Sequence, residues 1–566
     1  MHVWDDVNGY ASLEIKPYAY RKKFDGKYRS IFGDSLEKVT RFHPMAEGLW
    51  ESDVPYETRF LIDAYGESDD VSTGHRMAVL DIEVETKGGY PDMETANQPL
   101  TAIALYDSIS KVYYSWIVDV DRVVESSSTD GQVIVSCETE DDLISSFLTK
   151  WEEICPTIVT GWNTNEFDLI YLYNRICRVT DEATASRLSP IGIVYFNKFK
   201  QQMTIAGVNC LDYLRLYKWY SGKKLPNYRL DTVGKEELKI GKIEYEGSLD
   251  HLMRTDIKKY IEYNIHDVRL VVQLDDRMQF IALAMSICHI CHIGYEEYYV
   301  SSKFLEGALL TYLRRKRLVA PNKIPIDRDA EEAAGDDDDD DVGFEGAYVK
   351  DPIPGKYSWV CSSDINSLYP SVIMSLNISP ETKVGVVCNW DSEKLISRSG
   401  DRVEFLGNTM SYAEMGEFLA RNNFSIAANG AVYDLKKTGC IPDILKKWFA
   451  ERVEFKNKMK DASNRGNKAE TAFWKLRQQV QKILLNSLYG CLGLSTWRFY
   501  DLDNALAVTS TGQYIIKSTD KYVNKKMVDR LGKRYKLTYD DGSFEYVYEK
   551  QVCSLDGALI SSIINI

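Results

Sequence analysis

Residues 76–86, RMAVLDIEVET, place two carboxylates inside a strand-like alternation. Met77, Val79, Asp81 and Glu83 recur at every second position, so both acidic side chains lie on the same side of a strand. Two carboxylates side by side repel unless a proton or a cation lies between them. The strand is then either a solvent-facing edge of an amphipathic sheet or one wall of a cation site, and other segments bear on the choice.

The stretch IVTGWNTNEFDLIYLYNRI, beginning at Ile158, predicts a strand, a turn and a helix, with Asp168 at or near the helix start. Farther on, RTDIKKYIEYNIHDVRLVVQLDDRM has helical spacing that sets Tyr263 and Asp267 one turn apart on one face. Taken singly, Asp168 reads equally well as a helix cap, and Tyr263 with Asp267 as an ordinary side-chain pair. Taken together, the four carboxylates and the tyrosine suffice for two metals and an oriented water. In that chemistry one metal lowers the pKa of the attacking water and the other stabilises the leaving oxygen of a phosphodiester.

A second centre is expected in residues 357–373, YSWVCSSDINSLYPSVI. An apolar run with strand character climbs to Asp364, the chain turns through Asn366 and Ser367, and Pro370 sits where a helix begins. A carboxylate at a strand end, facing backbone N–H groups at a helix N-terminus, suits a divalent metal carrying a phosphate; on its own it is also what a cap looks like.

The chain is too long for one core at 566 residues, and roughly three or four domains are expected. No apolar stretch approaches bilayer length; the best, 280–293, is too short and carries His289 and His292. The start, MHVWDDVNGY, has no apolar signal region, so an intracellular protein is expected. The eleven Cys are scattered and read as free thiols, and CHICH at 288–292 reads as core packing rather than a metal or haem site. A net charge of −15 argues against a nucleic-acid partner, since phosphate binding favours a basic surface. The charge is uneven, however. Residues 336–341 are an unbroken Asp run that reads as a solvated loop, whereas 446–482 hold eleven Lys or Arg against four acidic residues.

That basic region contains LKKWFAERVEFKNKMK and FWKLRQQVQKILLNSLYGCLG, each helical, with the polar break DASNRGNK between them. An antiparallel helix pair is predicted. Arg452 and Lys456 are one turn apart on the first helix, and Lys482, Asn486 and Tyr489 share a face of the second. Basic patches on facing helices would clamp a polyanion with developing charge, as phosphoryl transfer requires; a solvated basic face is the alternative.

DIEV, GWNTNEFD and YNIHD resemble, in order, the three exonuclease motifs of family B DNA polymerases. DINSLYPSVI resembles the family's first palm motif and KILLNSLYG its second. RFYDLDNALAVTSTGQYIIKSTDKYVN continues the likeness, which is to the replicative polymerases of T-even-like tailed phages and covers about residues 10–525. The resemblance implies a multidomain α/β fold, an RNase H-like 3′–5′ exonuclease domain plus an incomplete right-hand polymerase with palm and helical fingers. The implied division is an N-terminal domain at 1–75, to which about 285–342 return, and the exonuclease domain at 76–284. The first part of the palm follows at 343–443, the fingers at 444–495 and the palm return at 496–566.

By the same resemblance Asp81, Glu83, Asp168 and Asp267 hold the exonuclease metals, Tyr263 helps position the water, and Asn163 lies close to the strand being trimmed. Asp364 holds both polymerase metals, and the backbone of Ser367 and Leu368 contacts the incoming triphosphate. Tyr369 stacks under the sugar and excludes a 2′-hydroxyl. Arg452, Lys456, Lys482, Asn486 and Tyr489 line the nucleotide site, and Gly490 lets its helix approach the nascent base pair. The implied cofactor is Mg²⁺ or Mn²⁺ in two-metal sites. The implied partners are primer–template DNA, single-stranded DNA 3′ ends and dNTPs, in viral DNA replication in the cytoplasm of a bacterial host.

The pattern breaks at the family's third palm motif, an Asp-Thr-Asp at a strand–turn–strand that supplies the second metal-binding carboxylate. The sequence offers instead RYKLTYDDGSFEYVYEK, whose alternating apolar residues around Asp541-Gly542 predict a hairpin with Asp540 and Asp541 at its tip. Neither a thumb nor a clamp-binding C-terminus is expected in the remaining residues. The favoured expectation is the N-terminal portion of a split polymerase, with a second polypeptide bringing the missing carboxylate and the thumb. A truncated gene product and a complete enzyme with an aberrant third motif are the alternatives. Rival functions are a chain active only as a single-strand exonuclease and, from another class, a non-catalytic DNA-binding subunit.

Overall fold

The computed structural model describes residues 2–547 apart from 6–8, 13, 45, 69–73, 88, 130, 199, 325–345, 352–353, 356–363, 401, 532–534 and 539–543. The Asp run, the strand expected to lead into Asp364, and Asp540 and Asp541 lie outside the described residues. The chain forms two compact units, one of Met1–Pro17 with Pro55–Val300 and the other of Tyr18–Val54 with Ser301–Ile566. Among the described residues no helix is long and apolar enough to cross a membrane.

The first unit is built on a seven-stranded mixed sheet. Its strands are β1 (Met77–Val84), β2 (Leu100–Asp107), β3 (Val112–Val118), β4 (Ser127–Thr129), β5 (Gln132–Cys137), β6 (Ile158–Thr160) and β7 (Asn209–Cys210), in the order β4-β5-β3-β2-β1-β6-β7. β1, β2 and β3 are antiparallel neighbours, whereas β6 and β7 run parallel to β1, which is the strand arrangement of the RNase H-like fold. β1 is central, and its alternation divides its side chains between two environments. Leu80, Ile82 and Val84 enter a core with Phe147, Leu148 and Trp151 of helix α1 (Glu140–Ile154) and Leu169, Leu172 and Ile176 of helix α2 (Asp168–Val179). On the opposite face Ala102 and Ile117 pack against Tyr260, Ile261 and Ile265 of helix α3 (Ile257–Met278). Asp81 and Glu83 therefore point into the layer between β1 and α3.

The CHICH segment packs as expected from its apolar surroundings: Cys288 and Cys291 are buried, and the buried His292 ring bonds the Tyr65 carbonyl at 2.9 Å. The described cysteines are free thiols.

The second unit opens with strands Ala19–Lys22, Tyr28–Ser30, Ser35–Val39 and Leu49–Trp50, a sheet that Leu318–Val319 joins at its edge beside Tyr28–Ser30. Helix α4 (Ser301–Arg315) precedes that last strand. Then come helix α5 (Leu368–Leu376), a three-stranded sheet of Lys383–Val386, Ala431–Asp434 and Phe424–Ile426, and the paired helices α6 (Cys440–Asn464) and α7 (Lys468–Leu492). The pair is antiparallel: the Phe455 and Trp474 rings stack at 5.5 Å, and Gln481 donates to Glu451 at 2.7 Å. Helix α8 (Leu502–Leu531) follows, then the hairpin of Tyr535–Thr538 with Phe544–Val547, paired antiparallel as the Asp-Gly signal predicts.

Arg498, in the connection between α7 and α8, has a fully buried side chain. It donates to Glu306 of α4 at 2.7 and 3.0 Å, to Asp53 at 2.6 Å and to the Pro321 carbonyl at 2.8 Å. Removing one member of such a buried set leaves the remaining charges uncompensated. Arg498→Ala is expected to lower the unfolding free energy of this unit by about 3 kcal/mol. Urea unfolding followed by tryptophan fluorescence measures it, and an unchanged midpoint would show the network to be dispensable.

Candidate functional site

The acidic cluster of the first unit is assembled by two elements. β1 delivers Asp81 and Glu83, and α3, lying over that face, delivers Tyr263, Asn264 and Asp267. One carboxylate oxygen from each of Asp81, Glu83 and Asp267 lies within 4.8 Å of the others. Protein donors take part of this oxygen set and leave part free. Asn264 Nδ2 donates to Asp81 Oδ2 at 2.9 Å. Lys242 Nζ donates to Asp267 Oδ2 at 2.5 Å and to the Tyr263 hydroxyl at 3.2 Å. Asp267 Oδ1 is buried and has no hydrogen-bond partner among the described residues.

Asp168 is the first residue of α2 and is buried; its Oδ1 accepts the backbone N–H of Ile82 at 3.1 Å, between the two β1 carboxylates. It stands beside the cluster rather than within the three-carboxylate set.

All four carboxyls are pushed up. Burial is the main cause at each. The charge of Asp267 adds to it at Asp81 and Glu83, and Glu83 rises to about 8 and Asp168 to about 7. At Asp267 burial outweighs the opposing pull of Lys242. Burial pulls the Lys242 ammonium down, but Asp267, Tyr263 and Asp81 more than offset it and hold it above the ordinary lysine value. The arrangement is short of positive charge. A buried unpartnered carboxylate oxygen within a cluster of converging oxygens fits a hard divalent cation with oxygen ligands.

The turn bearing GWNTNEFD is held from beneath. Gly161 has no room for a side chain, because a Cβ there would lie 2.3 Å from the Leu80 carbonyl and 2.1 Å from the Thr164 hydroxyl. Asn163 adopts a left-handed backbone with φ 70°. The buried Asp212 accepts the Asn165 N–H at 3.0 Å while capping the next helix through the Leu214 and Arg215 N–H groups. Asp81, Trp162, Asn163, Tyr228, Arg229 and Lys242 help line a cleft of about 710 Å³. Lys242, Asn264 and Asp212 are absent from the set read from sequence. Asn264 had a signal, since it lies inside YNIHD; Lys242 and Asp212 had none.

In the second unit Asp364 is exposed, and among the described residues it belongs to no acidic cluster. Ser367 is left-handed (φ 58°) at the N-cap of α5, and no side chain caps the helix. The first-turn N–H groups of Leu368 and Tyr369 thus have no cap from the Ser367 side chain, and Pro370 has no N–H to offer. Tyr369 and Tyr489 meet with ring centroids 4.5 Å apart, which joins the first palm-like motif to the second. Lys456, Lys482, Asn486 and Gly490 are exposed, and Arg452 is half-buried, with its Nε buried and unpartnered among the described residues. A Cβ built at Gly490 meets nothing within 4 Å, so packing within the chain does not require a glycine there.

The family model described as DNA polymerase family B, exonuclease domain, matches residues 65–233, and that of DNA polymerase family B matches residues 297–549. The chain is 28% identical to the DNA-directed DNA polymerase of Escherichia phage RB69, an alignment covering 91% of this chain and 62% of the relative. It is 27% identical to the DNA-directed DNA polymerase of Enterobacteria phage T4, over 91% of this chain and 64% of the relative. A DNA polymerase of Pyrococcus glycovorans is 25% identical over 90% of this chain and 58% of the relative. The chain thus spans less than two thirds of the length of these relatives. With the exonuclease and polymerase regions of one family matched in order along most of its length, the chain belongs to DNA polymerase family B.

Proposed function

We propose that the chain is a DNA-templated DNA polymerase of phage replication with a 3′–5′ proofreading exonuclease. The observation that carries the exonuclease reading is the Asp81–Glu83–Asp267 cluster, with its unpartnered Asp267 Oδ1. Asp81, Glu83 and Asp267, with Asp168 beside them, would hold Mg²⁺ or Mn²⁺. A bound divalent ion there would lower the pKa of the attacking water and stabilise the leaving oxygen. The chain's own groups do the rest. Asn264 fixes the Asp81 carboxylate through its Oδ2. Burial and the Asp267 charge hold the Tyr263 phenol above its ordinary value, so at neutral pH it stays protonated and can orient the water. The cleft floored by Asn163 and Trp162 takes the single-stranded 3′ end, and Arg229 on its wall meets the phosphates.

The polymerase reading is supported by the meeting of Tyr369 with Tyr489 beside an uncapped helix start, and by the exposed Lys456, Lys482 and Asn486. Primer–template DNA and dNTPs are its substrates, and the host cytoplasm is its place of action. The carboxylate that complements Asp364 comes either from Asp540 or Asp541 or from a second polypeptide. The division into N-terminal, exonuclease, palm and fingers parts belongs to the same reading.

Three outcomes are expected. Replacing Asp81 and Glu83 by Ala should cut Mg²⁺-dependent digestion of a 5′-labelled single strand by about a thousandfold or more; digestion at the wild-type rate would dismiss the cluster as the catalytic centre. The metal-free site should also respond to pH. Because the folded Glu83 pKa is raised from 4.5 to about 8, its stabilising contribution is full below the lower value and lost as pH rises through the upper one. The melting temperature of the metal-free protein should therefore fall between about pH 5 and pH 8.5, and Mn²⁺ affinity should weaken as pH drops below about 8, since protons compete for the ligands. Affinity independent of pH, read by Mn²⁺ electron paramagnetic resonance, would contradict this protonation scheme. Primer extension by the chain alone should be absent or weak and should appear on adding a polypeptide that carries the third palm motif; full activity alone would remove the need for a second chain.

A further inference from the structure

Gly512 lies in the middle of α8, a 30-residue helix, where glycine costs about 1 kcal/mol relative to alanine. Its backbone is not left-handed, so no turn requires it. Its surroundings supply a reason. A Cβ at Gly512 would stand 2.9 Å from Cε1 and 3.4 Å from Cδ1 of Tyr369, and 3.6 Å from Leu368. The bare helix backbone is therefore in direct contact with one side of the Tyr369 ring, while Tyr489 lies 4.5 Å away on another. One turn earlier on α8, the buried Thr509 side chain faces the Tyr489 hydroxyl.

The helix cannot retreat to make room. The Thr511 hydroxyl accepts the Ala428 N–H at 3.0 Å, and Asn429 donates to the Asp503 carbonyl at 3.0 Å. The Tyr433 hydroxyl donates to Asn504 at 2.9 Å, and Ala505, Ala507 and Val508 are fully buried. The Tyr369 backbone is equally constrained, since it lies in the first turn of α5, which Val372 and Ile373 anchor in the core. Any atom added at position 512 must displace the Tyr369 ring itself.

We propose that Gly512 is a positioning residue for sugar recognition: the absence of a side chain at this point of α8 sets where the Tyr369 ring stands, and so the width of the space for the nucleotide's 2′ and 3′ carbons. This rests on the reading of Tyr369 as the ring under the sugar. Gly512 touches no nucleotide, and its effect passes through the tyrosine.

The experiment compares nucleotide binding by the full chain, annealed to a dideoxy-terminated primer–template with Mg²⁺, using dCTP and CTP as probes opposite a template guanine. Wild type, Gly512→Ala, Tyr369→Ala and the double variant are measured, with primer–template affinity and the urea unfolding midpoint as controls for the folding of the second unit. Gly512→Ala is expected to weaken dCTP binding by about tenfold and to change the dCTP/CTP preference by about fivefold, because one added methyl displaces the ring. In the Tyr369→Ala background the same substitution should have almost no effect, since the atom it would meet is gone. A purely structural role for Gly512 would weaken both nucleotides alike and persist without the ring, and that result overturns the proposal. So does a preference that changes in Tyr369→Ala yet stays within about twofold of wild type in Gly512→Ala. If Tyr369→Ala itself leaves the preference unchanged, the reading of Tyr369 fails and the proposal falls with it. Should Gly512→Ala not fold, the double variant decides: a double variant that folds where Gly512→Ala does not supports the contact with the ring, and one that also fails to fold overturns the proposal.

Discussion

Mutual repulsion among buried carboxylates governs the first unit. Asp81, Glu83 and Asp267, with Asp168 alongside, are brought together by elements that cannot separate without dismantling the core. β1 is central in its sheet, with Leu80, Ile82 and Val84 locked between α1 and α2 on the far side. α3 is held against the near side by Tyr260, Ile261 and Ile265. Hydrophobic burial thus holds like charges at a separation they would not choose, and the carboxyl pKa values rise in response. Lys242 and Asn264 relieve part of the strain through one oxygen each of Asp267 and Asp81. The oxygens left over are what would suit the site to a cation. A set fully satisfied by protein donors would have no call for a metal, and one with no donors would be harder to keep folded without it.

The second unit is organised around close packing rather than around charge. Its two tyrosines come from different motifs, Tyr369 from the start of α5 and Tyr489 from the end of α7, and α8 supports both. Lys456 of α6 and Lys482 and Asn486 of α7 are exposed, and a Cβ at Gly490 would meet nothing within 4 Å. The buried Arg498, by contrast, is consumed entirely by internal partners. It bonds Glu306 and Asp53, which places a long-range clamp within a few residues of the end of α7.

Much of the scaffold could be read from local spacing. The two-residue alternation around Asp81 and Glu83 describes β1 and the shared side of its carboxylates, and the four-residue spacing of Tyr263 and Asp267 describes the face of α3. The antiparallel helices and the Asp-Gly hairpin follow from equally local signals. Asp168 reads equally well as a helix cap or a site carboxylate, and the structure shows it beginning the helix without capping it, its side chain accepting the Ile82 N–H of β1 instead. Lys242 was illegible because GKIEYEG reads as an ordinary polar loop and its partner Asp267 is 25 residues away. The Arg498 network was harder still, since Asp53 is 445 residues distant and nothing in either segment points to the other.

Spacing along the chain therefore established which carboxylates share a strand or helix face, and which basic residues share a helix turn, because backbone periodicity alone dictates those neighbours. It could not say how many oxygens of each carboxylate would already be taken, nor that a lysine would enter the cluster, nor that a helix backbone would press on Tyr369. Those outcomes depend on packing between elements distant in sequence, where a displacement of an ångström decides whether a group is bonded, orphaned or crowded. The residue types for chemistry are local facts. Their charge state, free valence and clearance are consequences of the folded core.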